Sequence, residues 1–235
     1  MDQFLKRKVI LVYFLTISYL LINSKTWHGL FQIIQKYIDR PVLFNRDDVG
    51  HVKFDIRYVL LLKSVSPLVL YKYNVFWLRF ANKPFEMDEF DEYEKHFTVM
   101  NYSSETELKQ IHYNDFIPMF EEQNPDHRWA DVDAKICRMF KECFKSAASL
   151  PPPKGLGHSE QARAIYAADL MLEWSHDEQT MEPKLLEINF NPDNQRACNY
   201  HPKFYDDCLQ ALFFGEEEGL PVTRICWQIV TVTHF

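Results

Sequence analysis

The sequence predicts an α+β fold: an antiparallel sheet with helices packed on it. Three observations carry this. Residues 52–63 and 184–191 alternate with the period of two expected of strands. Residues 129–148 set Val132, Ile136, Met139, Phe140, Cys143 and Ala147 at three-to-four spacing, which is the core stripe of a helix. The strand-like run 164–174 is followed by a short polar connector, Ser175 to Pro183, and then the run beginning at Lys184. So short a link suits antiparallel pairing of the two runs.

The chain opens with Lys6-Arg7-Lys8 and an apolar run from Val9 to Ile22. This has the basic and apolar regions of a signal peptide and falls short of the ~18 residues of a spanning helix. No clear small-x-small cleavage site follows it. Gln32 to Phe44 begins helix-like and becomes extended, with Asp39-Arg40-Pro41 as punctuation. Val52 to Lys63 is a long strand. Phe54, Ile56 and Tyr58 share one face of it, and Lys53, Asp55 and Arg57 the other. That polar triplet reads either as a cross-strand ion-pair surface or as a floor for a nucleotide, with Lys53 meeting phosphate, Asp55 on the nucleotide side and Arg57 forking onto anionic oxygens.

Pro67 to Ala81 reads as a hairpin turning at Tyr73-Asn74. Within it Arg79 stands alone among Phe76, Trp77, Leu78 and Phe80, and an arginine so placed must find an anion or backbone carbonyls. Glu86 to Lys95 is acidic and reads as a solvated loop without a site. Thr106 to Gln123 and Trp129 to Ala148 read as helices. Pro151-Pro152-Pro153-Lys154-Gly155 is a stiff connector. Tyr200 to Phe214 reads as one helix introduced by His201-Pro202 and ended by Glu216–Gly219, and Cys226 to Phe235 is β-prone.

With 235 residues and 47% hydrophobic content the chain can bury a sizeable core in one or two domains. A net charge of −7 argues against a general nucleic-acid binder. Five cysteines, an odd number without a CxxC pair, fit reduced thiols better than a disulfide framework. Cys198, His201 and Cys208 lack a fourth ligand at zinc-like spacing and read as ordinary side chains.

The chemistry concentrates in the last two strands. Asp169 sits in the apolar centre of 164–174, and Glu187 and Asn189 share one face of 184–191. Antiparallel pairing brings the two carboxylates and the amide together. A carboxylate in a core strand needs a metal or a basic partner, and an all-oxygen set of this kind suits Mg²⁺ shared with phosphates.

Asp169 followed by Glu187-Ile188-Asn189 resembles the magnesium site of ATP-grasp ligases. The words Gln35-Lys36-Tyr37-Ile38, Lys53-Phe54-Asp55-Ile56-Arg57, Trp77-Leu78-Arg79-Phe80-Ala81 and Asn101-Tyr102 fall in the order seen in the tubulin–tyrosine ligase-like family. The resemblance runs from about residue 32 to 224. It implies the C-terminal part of an ATP-grasp fold, ATP and Mg²⁺ as cofactors, and ATP-dependent ligation of an amino acid to a carboxylate of a tubulin C-terminal tail. It places Gln35, Lys36, Tyr37 and Ile38 at the adenine hinge, Lys53, Asp55 and Asn101 on the nucleotide, Arg79 on the substrate carboxylate with Arg57 as a second catalytic cation on anionic oxygens, and Asp169, Glu187 and Asn189 on the metal.

Departures from the family pattern stand beside these matches. Met100 replaces a hydroxyl residue. The lysine that glutamate-adding members place after the metal strand has no clear counterpart, Lys203 and Arg196 being the candidates. With six glycines and no glycine-rich phosphate loop, the chain reads as N-terminally truncated. The expected organisation is an atypical leader (1–31), a partial ATP-grasp domain (32–224) and a tail (225–235). The leader is read as a genuine signal or anchor, as a helix packed on the fold, or, most consistently with the abrupt start of the resemblance, as an unrelated beginning. The expected setting is a cytoplasmic monomer, with membrane contact only if residues 9–22 are a genuine anchor. Two functions follow: a ligase, or a non-catalytic ligase-like module acting on tubulin or other partners.

Overall fold

The computed structural model describes residues 35–98, 111–215 and 217–225. The leader, Asn101, Met100 and the tail from Cys226 lie outside them. Everything is arranged on β2 (Gly50–Val65), a strand whose residues from Val52 to Leu62 are all buried except Arg57. Such length lets it serve several partners. β1 (Leu43–Arg46) pairs with its start, β4 (Trp77–Phe80) with Phe54–Arg57, and β3 (Leu68–Tyr73) with Leu60–Val65. β5 (Ala164–Trp174) lies along its other edge. β6 (Met181–Phe190) and β7 (Val222–Ile225) extend the sheet to the order β6-β5-β2-β3-β7, and every pairing is antiparallel.

This corrects the hairpin expected within residues 67–81. The reversal is at Ser66-Pro67, between β2 and β3. β3 and β4 do not pair with one another; they follow each other along β2, interrupted at Asn74, whose N–H donates instead to the Pro221 carbonyl (2.8 Å).

The even-numbered residues of β2 face α2 (Tyr113–Gln123) and α3 (Trp129–Ala148). An aromatic block fills this layer. The Phe116 ring lies 5.3 Å from Phe44 and 5.5 Å from Phe54, and Phe76 stacks on Trp129 at 5.2 Å. The α3 bounds are those the sequence predicts. Helix α2 starts at Tyr113, later than predicted, with the His112 ring as its cap; residues 106–110 are outside the described chain.

The opposite sheet face is split. Val59, Leu61, Tyr71, Tyr73 and Trp77 pack under α4 (Gln195–Tyr200), α5 (Phe204–Leu209) and a π-turn, Gln210–Phe214. The single helix expected over 200–214 is therefore three pieces. His201 and Pro202 break it, proline having no N–H to continue the ladder, and Gly215 ends it at φ +74°, a conformation that favours glycine. The other half of this face, carrying Lys53, Asp55 and Arg57, forms the candidate site.

Candidate functional site

Strands β2, β4, β5 and β6 bring the polar side chains into one row. Arg79 is opposite Asp55, Arg57 opposite Asp169, and Asp169 opposite Glu187. Asn189 is two residues beyond Glu187 on the same face, and its amide donates to Glu187 Oε1 (2.7 Å). The expected convergence of two carboxylates and an amide is thus present in the register.

The register also holds a feature that alternation alone does not reveal. Between Asp169/Glu187 and Leu170/Leu185 the ladder slips, leaving Leu186 as an extra residue in a β-bulge. Leu185 and Ile188, rather than the expected Leu186 and Ile188, consequently pack on the helix-side core. The Leu186 carbonyl accepts a hydrogen bond from the Gln35 side chain (2.6 Å), tying the segment that begins at Gln35 to β6.

Two arginines satisfy the buried carboxylates. Arg57 grips Asp169 with two bonds of 2.7 Å, and Arg79 reaches both Asp55 (2.6 Å) and Asp169 (2.9 Å). Thr98 donates to the other oxygen of Asp55. Burial works to raise the Asp169 pKa, but the hydrogen bonds and charges of Arg57 and Arg79 outweigh it and hold the group below the usual carboxylate range. For fully buried Asp55, burial prevails over Arg79 and Thr98 and pushes the carboxyl up. Arg79, despite its own burial, is held more firmly charged by Asp55 and Asp169.

Lys53 lies at the far end of the row. It is 2% exposed, its Nζ donates to the Tyr37 hydroxyl (3.1 Å), and burial pulls its pKa down to about 8. The sign of the resulting pH dependence is opposite to that of a salt-bridged lysine. Between about pH 8 and the unfolded value of ~10.4 the folded chain releases this proton while the unfolded chain keeps it, so stability from this residue rises with pH. The difference in unfolding free energy between wild type and Lys53→Met is expected to move in favour of wild type by on the order of 3 kcal/mol from about pH 7 to pH 11. Paired urea titrations across that range measure it.

Of the hinge residues, Gln35 and Lys36 are exposed and Ile38 is buried, while Tyr37 turns toward Lys53 and His96. The sequence reading missed His96 and Lys95. The acidic stretch 86–95 is not simply solvated: Lys95 at its end is buried and paired with Asp88 (2.7 Å) and Glu89 (3.0 Å), and His96 stacks on Phe90. An aromatic residue amid acids was the available signal.

Two observations bear on whether nucleotide and metal fit. Among the described residues no three His, Cys, Asp or Glu side chains gather closely enough to hold an ion by themselves. Two carboxylates and an amide leave the remaining positions to phosphate and water, as Mg²⁺ prefers. Next to the expected hinge residues 35–38, Asp39 Oδ1 is buried with no hydrogen-bond partner among the described residues. A buried acceptor left open is suited to a donor such as a nucleobase amino group. The residues present fit Mg²⁺ and a nucleotide.

Elsewhere, Cys137, Cys143, Cys198 and Cys208 are free thiols. His201 sits 3.0 Å from the Tyr73 hydroxyl and 3.5 Å from Asp207. No described helix is long and apolar enough to cross a membrane.

Comparison with known proteins identifies the family. The tubulin-tyrosine ligase family profile matches residues 23–221. The mouse tubulin–tyrosine ligase-like protein 12 is 54% identical over 197 residues, 83% of this chain and 31% of that protein; the human counterpart is 52% identical over 195 residues, 82% and 30% respectively. Tubulin glycylase 3E of Tetrahymena thermophila is 29% identical over 194 residues, 78% of this chain and 13% of that protein. The chain therefore spans under a third of the length of these relatives. With the profile covering most of its length and more than half of the aligned residues identical in the mouse and human proteins, the chain belongs to the tubulin-tyrosine ligase family.

Proposed function

We propose that this chain carries the magnesium and phosphate face of an ATP-dependent ligase that joins an amino acid to a tubulin tail carboxylate. The supporting observation is the in-register pairing of Asp169 with Glu187, with Asn189 on the same face and Arg57 and Arg79 alongside. Asp169, Glu187 and Asn189 would hold Mg²⁺, which when bound neutralises phosphate charge and orients the transferring group. Lys53 meets phosphate, Asp55 lies on the nucleotide side, and Arg57 and Arg79 hold the substrate carboxylate in preorganised positions. The hinge 35–38 and Asn101 complete the nucleotide contacts, and a cytoplasmic setting accords with the free thiols.

A second reading, a non-catalytic module of the same family, is favoured by a specific observation. The buried carboxylates are already satisfied: both Asp169 oxygens are taken by arginine and Asp55 is held by Arg79 and Thr98, while Lys53 is covered by Tyr37 and Phe85. Binding metal or phosphate requires these pairs to be exchanged.

A ligation assay tests whether the chain by itself is a complete ligase. The sequence has no glycine-rich loop to cover the phosphates. Phosphoryl transfer depends on positioning and charge neutralisation, open water weakens both, and a single lost oxyanion donor already lowers rates ~10²–10³-fold. The 235-residue chain, given ATP, Mg²⁺, tubulin and radiolabelled tyrosine, glutamate or glycine in turn, is expected to incorporate none. Robust incorporation of any one, abolished by Glu187→Gln, would make the chain a ligase in its own right.

A further inference from the structure

Among the described residues Lys53 is a buried cation with an incomplete set of partners. An ammonium has three donors. Here one goes to Tyr37 Oη at 3.1 Å, and the group otherwise stands over the Tyr37 ring (4.2 Å to the centroid) and the Phe85 ring (5.2 Å). Among the described residues no carboxylate is within ion-pair distance of it.

The partners beyond Tyr37 fix the direction of every proton. His96 Nε2 is 2.8 Å from the Asp88 carbonyl oxygen, and Nδ1 is 2.7 Å from Tyr37 Oη. A carbonyl can only accept, so Nε2 carries the hydrogen. In the neutral ring Nδ1 is then bare and accepts from the tyrosine hydroxyl. That leaves the Tyr37 oxygen lone pairs for Lys53. The result is a one-way relay: Lys53 donates to Tyr37, Tyr37 to His96, and His96 to the Asp88 carbonyl. The imidazole is clamped by stacking on Phe90 (5.2 Å, 24°) and by the edge of Phe85 (5.9 Å).

We propose that Tyr37 and His96 are positioning residues for Lys53, fixing where its ammonium stands and keeping it a cation beneath the phosphate side of the site. The proposal rests on the reading in which Lys53 meets phosphate. The surroundings explain why such help is needed. Burial alone brings the lysine pKa to about 8, so further loss of an acceptor would discharge it near neutral pH. His96 is kept neutral by burial and by the charges of Lys53 and Lys95, and so adds no competing cation. The other charged groups around the relay are already committed. Lys95, on the short helix α1 (Tyr93–His96) within the described segment, is neutralised by Asp88, Glu89 and Glu86. Asp55, next along the same face of β2, is committed to Arg79 of β4. Asp39 flanks Tyr37 within the hinge and helps to keep the phenol protonated.

The test uses the full chain with lysines labelled in ¹³C and ¹⁵N. The Lys53 Cε resonance, assigned with Lys53→Arg, is followed from about pH 6 to pH 11. Wild type is expected to titrate near pH 8. Tyr37→Phe keeps both ring contacts but removes the acceptor, and should lower the midpoint by about one pH unit. His96→Phe keeps the stack and should lower it in the same direction. His96→Gln, which can accept from Tyr37 and donate to Asp88, should restore it. A Lys53 midpoint unmoved in folded Tyr37→Phe and His96→Phe, with only melting temperature lowered, would overturn the relay in favour of plain packing. ATP affinity in Mg²⁺ is read on the same proteins at pH 8. An approximately tenfold loss in Tyr37→Phe supports both ideas. A shifted lysine midpoint with unchanged affinity supports the relay and overturns the phosphate role of Lys53.

Discussion

Arg79→Ala is expected to destabilise the chain by about 3–5 kcal/mol at neutral pH, the usual consequence of breaking a buried ion pair from one side. Arg79 bonds Asp55 through Nε (2.7 Å) and a terminal nitrogen (2.6 Å), and also reaches Asp169 (2.9 Å). Asp169 retains Arg57 after the substitution; among the described residues, fully buried Asp55 retains only the Thr98 hydroxyl. Its folded-state pKa, already raised by burial, then rises further. A carboxyl whose folded pKa is above its unfolded value stabilises the fold in acid and loses that contribution as pH rises through the folded value. The deficit of Arg79→Ala should therefore be small in acid and grow toward neutrality. Adding Asp55→Asn should recover part of it, a coupling expected of groups in contact. Urea unfolding of the single and double variants at about pH 5 and pH 7 measures this, and a loss below ~1 kcal/mol at pH 7 would show the pair to be far better hydrated than its burial indicates.

Asp133→Ala should have an effect of similar size on the other side of the sheet. Lys72 of β3 is 3% exposed beneath α3, and its ammonium is paired with Asp133. The same carboxylate accepts from the Tyr58 hydroxyl (3.0 Å), over whose ring Lys72 sits at 4.9 Å. Removing the carboxylate strands a buried cation and a buried phenol together, at a cost of about 3–5 kcal/mol. Lys72→Met in the same chain should restore most of the loss, because an unbranched apolar side chain can fill the space. Equal stability of the single and double variants would locate the loss in α3 itself.

Much of this architecture is legible in the residues because alternation decides it. Phe54, Ile56 and Tyr58 had to face a core, so Lys53, Asp55 and Arg57 had to share the opposite face; the helices lie on the first and the candidate site on the second. Likewise a short polar connector, six residues from Ser175 to Thr180 in the structure, joins β5 to β6, and the pairing sets Asp169 opposite Glu187. Alternation fails where an element stops being regular. A single extra residue, Leu186, reverses the faces on one side of it, and nothing in Leu-Leu-Glu distinguishes a bulge from a continuous strand. The reversal at Ser66-Pro67 was missed because the apolar run of β2 continues almost to the turn, while Tyr73-Asn74 has the composition of one.

The pairing of charges was legible only in part. Arg79, isolated in an apolar strand, announced an anion, and it has two in Asp55 and Asp169. Lys95 and His96 gave no comparable signal. The surrounding glutamates and aspartates read as solvated when in fact some of them neutralise a buried ammonium. The relay from Lys53 through Tyr37 to His96 joins residues 59 positions apart at its widest hydrogen bond, a separation over which neither period nor spacing carries information.

The central claim, that the β5–β6 pair is a magnesium and nucleotide site, is tested most directly by titrating ATP into the 235-residue chain with and without Mg²⁺, beside Glu187→Gln. Glu187 is exposed at the sheet face, so its amide should leave the unfolding transition close to wild type while removing one charged oxygen ligand. Wild type is expected to bind ATP weakly and more tightly in Mg²⁺, and Glu187→Gln to lose that Mg²⁺ dependence. Equal affinity of the two proteins in Mg²⁺ would contradict it.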